Sequence, residues 1–304
     1  MDQHLTPRQL AEALGVSESS VKRWADQGLM PVERTAGGHR RLPVAGVIQF
    51  VRSSELSLAR PELLGMVEPP GEQPGAEGLA PLAAALAVGD EGAFRAGVFR
   101  SYLAGASVAE ICDREIAPAF RALGNRWEHG SLEVYQERRA CEICRGVLFE
   151  LRRALPAPEP RALRALGGTL AGDWYALPTA MCEIALAELG WSSRSLGSSQ
   201  PAATLAAALA AERPRLFWLS ISWFDSLDAT AEAVETVWET ARRHRVALAI
   251  GGHAVDARVR RRLRATAYCD DLAQLQDLAV ALGNGLGEEL AGGRMDPGHE
   301  APTR

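Results

Sequence analysis

Between Ala165 and Leu282 short strand-like runs alternate with helix-period stretches, and this alternation constrains the fold more than any other feature of the chain. The strand candidates are Ala165–Ala171, Trp191–Leu196, Leu216–Ser222, Val246–Ile250 and Thr266–Cys269. Helical patterns separate and follow them at Pro178–Leu189, Pro201–Ala211, Ser226–His244, Val255–Leu263 and Leu272–Leu282. Parallel strands need crossover helices, so strict alternation predicts a parallel sheet covered on both faces. The expected domain is a doubly wound, Rossmann-like α/β fold. In such folds ligands sit beyond the carboxyl ends of the strands.

Upstream the period changes. Residues 79–157 predict a four-helix bundle with helices near Gly78–Val88, Asp90–Leu103, Val108–Trp127 and Leu132–Ala154. Asp90, Ser107 and Ser131 are the candidate N-caps, and short glycine-containing turns favour antiparallel neighbours. Met66–Gly78 is rich in Pro, Gly and Glu and reads as a linker. Pro156–Pro160 marks a second boundary. The expected organisation is therefore a head at 1–65, a linker at 66–78, a bundle at 79–157, an α/β domain at 161–287 and a disordered tail at 288–304.

No apolar run is long enough to span a bilayer, and the N-terminus lacks a basic-then-apolar leader, which predicts a cytoplasmic protein without membrane contact. Five scattered cysteines do not make a disulfide scaffold. Cys141 and Cys144 form a C-x-x-C inside a helix without a second ligand pair at zinc spacing, and packing is their expected role. With no nucleophile–base pair and no phosphate loop, no catalytic site and no metal site are expected, and the chain is read as a non-enzyme.

The overall net charge of −5 hides a different balance at the N-terminus, where residues 1–52 hold seven Lys and Arg against five acids. Thr6-Pro7-Arg8-Gln9 carries a cap, a proline for the first helical position and a capping-box glutamine. Leu10, Ala11 and Leu14 form an apolar stripe, Gly15-Val16 makes a turn, and Ser17 caps a second helix. Val21, Trp24 and Ala25 face inward there, so Lys22 and Arg23 point elsewhere. The run Arg34-Thr35-Ala36-Gly37-Gly38-His39-Arg40-Arg41 follows, a glycine-tipped hairpin flanked by arginines.

Helix, turn, helix and a basic glycine-tipped wing, carried by Ser19-Ser20-Val21-Lys22-Arg23-Trp24 and Arg34–Arg41, resemble the MerR family of transcription regulators. That resemblance implies a dimer on a double-stranded operator. Lys22 and Arg23 would enter the major groove, while Arg34, His39, Arg40 and Arg41 would contact phosphates. One departure stands out. The helix near Pro43 is short where the family has a long dimerising helix, so self-association is expected from the later domains or on DNA.

The remaining chain resembles the light-responsive, cobalamin-dependent repressors of the CarH/LitR group. Trp127 and Glu137 match the bundle's W-x9-E-H motif, Ser220-Ile221-Ser222 the serine-bearing end of the middle strand, and Gly251-Gly252 the glycine pair after the fourth strand. The resemblance implies that this pair lets the backbone approach a flat macrocycle. It fails at the ligand positions. The loop that carries the lower axial histidine reads Asp173-Trp174-Tyr175-Ala176-Leu177-Pro178, and Arg138 replaces the histidine of the bundle motif. A phenol with a pKa of about 10 is a poor cobalt ligand at neutral pH. Usual histidine-ligated cobalamin binding, and the light chemistry that depends on it, are not expected.

Three readings of this half stand together: an oligomerisation scaffold without ligand, cobalamin held in another ligation mode, or another flat molecule such as a different tetrapyrrole. Trp127, Trp174, Tyr175, Trp218, Trp223 and Phe224 are placed near the predicted pocket edges, and His253 is the one histidine expected near the site. The functional expectation is a DNA-binding repressor whose cobalamin-binding-like half controls a homo-oligomer, dimer or tetramer, and answers to a small-molecule or protein effector. The alternative is a corrinoid or tetrapyrrole-binding sensor or carrier.

Overall fold

The structure, a computed structural model, describes residues 4–54, 56–66 and 76–284. Most of the expected linker and the whole expected tail lie outside the described residues. The chain divides into two units, 1–156 and 157–304.

In the first unit Thr6 opens α1 (Pro7–Leu14) with a complete capping box, its hydroxyl accepting the Gln9 amide while the Gln9 side chain takes the Thr6 amide. Such a cap is worth about 1 kcal/mol. Gly15 turns the chain in the left-handed region, and Ser17 caps α2 (Glu18–Asp26). Leu10, Leu14 and Val21 close the angle between the two helices. Three short strands, β1 (His4–Leu5), β2 (Glu33–Arg34) and β3 (Arg40–Pro43), make an antiparallel sheet in the order β1-β3-β2. Arg34 lies opposite Arg40, and Gly38 turns the wing tip with φ +77°. Trp24 packs its ring 5.2 Å from Phe50 on α3 (Val44–Ser54).

After α3 the chain folds back onto α1, where the Ala59 and Arg60 amides donate to the Ala13 carbonyl, and makes one 3-10 turn at Pro61–Leu64. The bundle follows as α4 (Pro81–Val88), α5 (Glu91–Leu103), α6 (Val108–Ile111), α7 (Ala117–Glu128) and α8 (Val134–Ala154). A π-turn at Cys112–Ile116 joins α6 to α7, so the long helix expected from Val108 to Trp127 is present with a local widening. Asp90 and Ser107 cap as expected. Ser131 does not: its hydroxyl donates to the Arg126 carbonyl at the end of α7, and Glu133 forms the capping box of α8 with Gln136.

Head and bundle pack together. Arg52 of α3 donates to the Tyr102, Gly105 and Ala106 carbonyls at the end of α5 and lies 4.6 Å over the Tyr102 ring. Arg95 of α5 reaches the Leu64 carbonyl at 3.1 Å and Glu150 of α8 at 2.6 Å.

The second unit is a five-stranded parallel sheet in the order β5-β4-β6-β7-β8. Its strands are β4 (Arg164–Gly168), β5 (Ser192–Ser195), β6 (Leu216–Ser220), β7 (Ala247–Gly251) and β8 (Ala267–Cys269). The helices are α9 (Ala176–Glu188), α10 (Ala202–Glu212), α11 (Leu227–His244), α12 (Ala257–Arg260) and α13 (Leu272–Gly283). Phe217, Leu219, Leu248 and Ile250 pack with Leu205, Leu209, Val234 and Val237 of α10 and α11. On the face of α9, Trp218 is buried with its indole N–H donating to Thr179 at 2.9 Å, and it packs against Gly167 so closely that a Cβ there would lie 2.1 Å from the ring. Trp218 is thus core rather than pocket edge. Ser226 caps α11. The expected helix over Val255–Leu263 is one turn, α12, capped by Asp256.

Among the described residues three non-glycines have positive φ: Ser199, Arg213 and Arg245. The last two end α10 and α11. A side chain in this region costs roughly 1 kcal/mol, which is why glycine usually stands there.

Candidate functional site

The head gathers several basic residues around one concavity. Thr6 and Pro7 at the start of α1, Glu18 and Lys22 on α2, and Arg34, Gly38, His39, Arg40 and Arg41 of the wing line one open concavity of 540 Å³. Lys22 is on the exposed face because Val21 is fully buried beside it, and Arg23 is exposed next to it. Lys22 pairs with Glu18 one turn away at 2.8 Å. Arg34 and His39 are exposed at the wing, and the Arg34 guanidinium donates to the Gly38 carbonyl at 3.4 Å. Arg40 differs from its neighbours: its side chain is 22% exposed and pairs with Asp26 at the end of α2. Arg41 is half-buried. Five of the six residues singled out in the sequence thus line one concave surface, and Arg23 lies on α2 outside its lining.

On the bundle Trp127 ends α7 half-exposed, and Glu137 and Arg138 sit in the first turns of α8 beside exposed Val134 and Tyr135. Arg138 lies 3.7 Å from Glu137, whose carboxylate also accepts the Cys141 thiol at 3.4 Å. Burial, reinforced by that carboxylate, pushes the Cys141 thiol up to about 12, and burial pushes Cys144 up as well. A thiolate is the reactive form, so neither cysteine is a nucleophile near neutral pH.

In the α/β unit the carboxyl ends of β4 and β6 flank the point where the strand order reverses. Asp173, buried in the loop after β4, spans it. One carboxylate oxygen accepts the Tyr175 amide at 3.1 Å, and the other accepts the Ser222 amide at 2.7 Å and the Trp223 amide at 3.4 Å. Thr169 and Ser199 lock the same loop, the Thr169 hydroxyl donating to the Asp173 carbonyl and accepting the Ser199 amide. Ser220 is buried at the end of β6, whereas the Ser222 hydroxyl is buried without a hydrogen-bond partner among the described residues. Trp174, Tyr175 and Trp223 are exposed around it, and Phe224 packs on the core.

Gly251 and Gly252 have an internal reason to be glycine. A Cβ on Gly251 would lie 2.6 Å from the Cys269 carbonyl, and one on Gly252 2.4 Å from the Ile221 carbonyl. At both positions backbone approaches backbone between strand ends. That crowding carries no sequence signal apart from the glycines.

The residues at this edge do not fit a histidine-ligated corrinoid. The position that calls for an imidazole holds Tyr175, and the Asp173 carboxylate that could orient one is taken up by backbone amides. His253 is exposed and has no hydrogen-bond partner among the described residues to fix its ring, as ligating imidazoles require. Among the described residues no three His, Cys, Asp or Glu side chains are gathered to hold a metal ion.

A winged helix-turn-helix head, a helical bundle and a doubly wound domain define a DNA-binding regulator with a ligand-type C-terminal half. Residues 6–41 match the MerR family regulatory protein model, and residues 79–152 and 163–278 each match a model described as B12 binding domain. The chain is a MerR-type head joined to B12-binding domains, a CarH-like architecture. No curated protein matches it. Among solved structures it is similar to the monomethylamine corrinoid protein of Methanosarcina barkeri, with 16% identity over 66% of this chain and 96% of that one and a TM-score of 0.55. Matches of lower TM-score, 0.37 each, are a cobalamin-binding protein from Desulfitobacterium hafniense DCB-2 and the methanol:cobalamin methyltransferase complex MtaBC from Methanosarcina barkeri. Their identities are 21% and 18%, covering 66% and 69% of this chain and 96% and 83% of theirs. At such identity the corrinoid protein of higher TM-score shows a shared fold. No helix among the described residues is long and apolar enough to cross a membrane.

Proposed function

We propose that the chain is a transcription repressor that binds a double-stranded operator through its head and self-associates through its B12-binding-type half. Lys22 and Arg23 enter the major groove from α2. Arg34, His39 and Arg41 contact phosphates from the wing, and Arg40 joins them when it leaves Asp26. The observation that carries this reading is the single concave surface formed by Lys22, Arg34, His39, Arg40 and Arg41. The test is a gel shift with the DNA upstream of the chain's own coding region. Preference for that duplex over random sequence, lost in Lys22→Ala and Arg34→Ala, supports it. Equal binding to both duplexes overturns it. Light scattering on the full chain tests self-association, for which a dimer or tetramer is expected without any added ligand.

A second reading is favoured by the unpartnered Ser222 hydroxyl among exposed Trp174, Tyr175 and Trp223. On this reading the carboxyl edge holds a planar ligand, a tetrapyrrole or a corrinoid without histidine ligation, by stacking. The protein is then a sensor or carrier. Absorption spectra of the protein as isolated, and after incubation with cobalamins and haem, decide it.

A further inference from the structure

The amino-terminal edge of the five-stranded sheet, at the other end of the strands from the Asp173 loop, is lined by arginine. Arg164 begins β4, and the Arg215 amide just before β6 donates to its carbonyl at 2.8 Å. The Ala247 amide at the start of β7 donates in turn to the Arg215 carbonyl at 3.2 Å. The turns that feed β6 and β7 add Arg213 at the end of α10 and Arg243 and Arg245 at the end of α11. Arg164 is paired with Glu212, and Arg264, ahead of β8, with Glu235 and Glu239. Arg213, Arg215, Arg243 and Arg245 have no carboxylate partner among the described residues, and all but the half-buried Arg215 are exposed.

The backbone adds an independent observation. Arg213 and Arg245 both stand in the left-handed region, with φ 44° and 55°. Elsewhere the chain places glycine at such helix ends, at Gly15, Gly65 and Gly89. Glycine is the usual residue at such turns, and here both hold an arginine.

We propose that this edge is a second contact surface for the phosphate backbone of duplex DNA, used together with the head. Guanidinium forks match phosphate oxygens two at a time. The exposed aromatics of this unit, Trp174, Tyr175 and Trp223, sit at the opposite edge, so stacking on single-stranded bases is not offered here. The proposal rests on the DNA-binding reading of the head.

The test compares the full-length protein with the Arg213→Gly/Arg245→Gly double variant by fluorescence anisotropy on operator and random duplexes across a salt series. Glycine fits both turns, so the melting temperature is expected to stay the same or rise. Affinity is expected to fall on the order of tenfold at low salt, and the slope of log K against log salt to become shallower by about 0.9 for each phosphate that is no longer neutralised. Preference for the operator is expected to persist, because phosphate contacts carry no sequence. Unchanged slope and affinity overturn the proposal, including the case in which the edge serves an acidic protein partner instead. A wild type without operator preference overturns the reading of the head. The slopes on random duplex still decide the edge.

Discussion

The Arg40 guanidinium donates to the Asp26 carboxylate at 2.5 Å, tying the base of the wing to the last residue of α2. The pair joins the two elements that would meet DNA, and one cation of the wing is occupied by it. Asp26 is 60% exposed, so the pair adds at most about 1 kcal/mol to stability. Asp26→Ala is expected to leave the melting temperature nearly unchanged. It is also expected to raise duplex affinity several-fold, since it frees Arg40 and removes a negative charge from the contact face. Arg40→Ala is expected to lower affinity. Anisotropy titrations on one duplex check both, and a weaker Asp26→Ala would show that the pair positions the wing.

Arg52 is the second tie within the first unit. Its guanidinium serves three carbonyls at the end of α5 while lying over the Tyr102 ring. Arg52→Ala leaves those acceptors without their charged donor and is expected to cost about 2 kcal/mol. Urea unfolding with a tryptophan probe measures it. Arg52→Lys keeps the charge but not the fork, and is expected to recover less than half of the loss.

Much of this was legible in the chain itself. The alternation after Ala165 pointed to the parallel sheet because helices between successive strands supply the crossovers that parallel pairing needs. Thr6, Ser17, Asp90 and Ser107 announced their helices because cap chemistry is local. Glu133 displaced Ser131 as a cap because the serine closes the preceding helix instead, a choice decided by the turn and not by residue type. The head's cations were legible as a cluster, but the engagement of Arg40 by Asp26 joins residues 14 apart across a tertiary contact. Asp173 was legible as a loop residue, while its bonds to Ser222 and Trp223 cross the sheet and leave no local pattern.

Gly252 tests the packing account of the glycine pair. It has φ +117°, and a Cβ would fall against the Ile221 backbone at 2.4 Å. Gly252→Ala is expected to cost about 3 kcal/mol, from strained backbone and a clash that backbone cannot relieve. Gly130→Ala is the control, with positive φ but open space around the added carbon, and is expected to cost about 1 kcal/mol. Chemical denaturation of the full chain without ligand compares them. A larger loss at Gly130 than at Gly252 would refute the packing explanation.

Asp173 links the carboxyl-end loops to pH. Burial raises its carboxyl above the usual carboxylate range, although the Ser222, Tyr175 and Trp223 amides pull the other way. A group whose pKa is higher folded than unfolded binds its proton more tightly in the native state. Its favourable contribution is therefore full below the unfolded value, about 4, and is lost as pH rises through the folded value. Asp173→Asn removes that titration, and it also turns one acceptor into a donor facing a backbone amide. The stability of the wild type relative to Asp173→Asn is expected to fall as pH rises from the acid range toward neutrality. Asp173→Ala removes every bond between the loop after β4 and the end of β6 that passes through this carboxylate, and is expected to destabilise by about 3 kcal/mol in the acid range, the difference shrinking toward neutrality because alanine lacks the titrating group as well. Parallel urea titrations of the three proteins across pH read both effects. A wild-type advantage that grows with pH instead would mean that the three amides outweigh burial, and that Asp173 is held as a carboxylate anion.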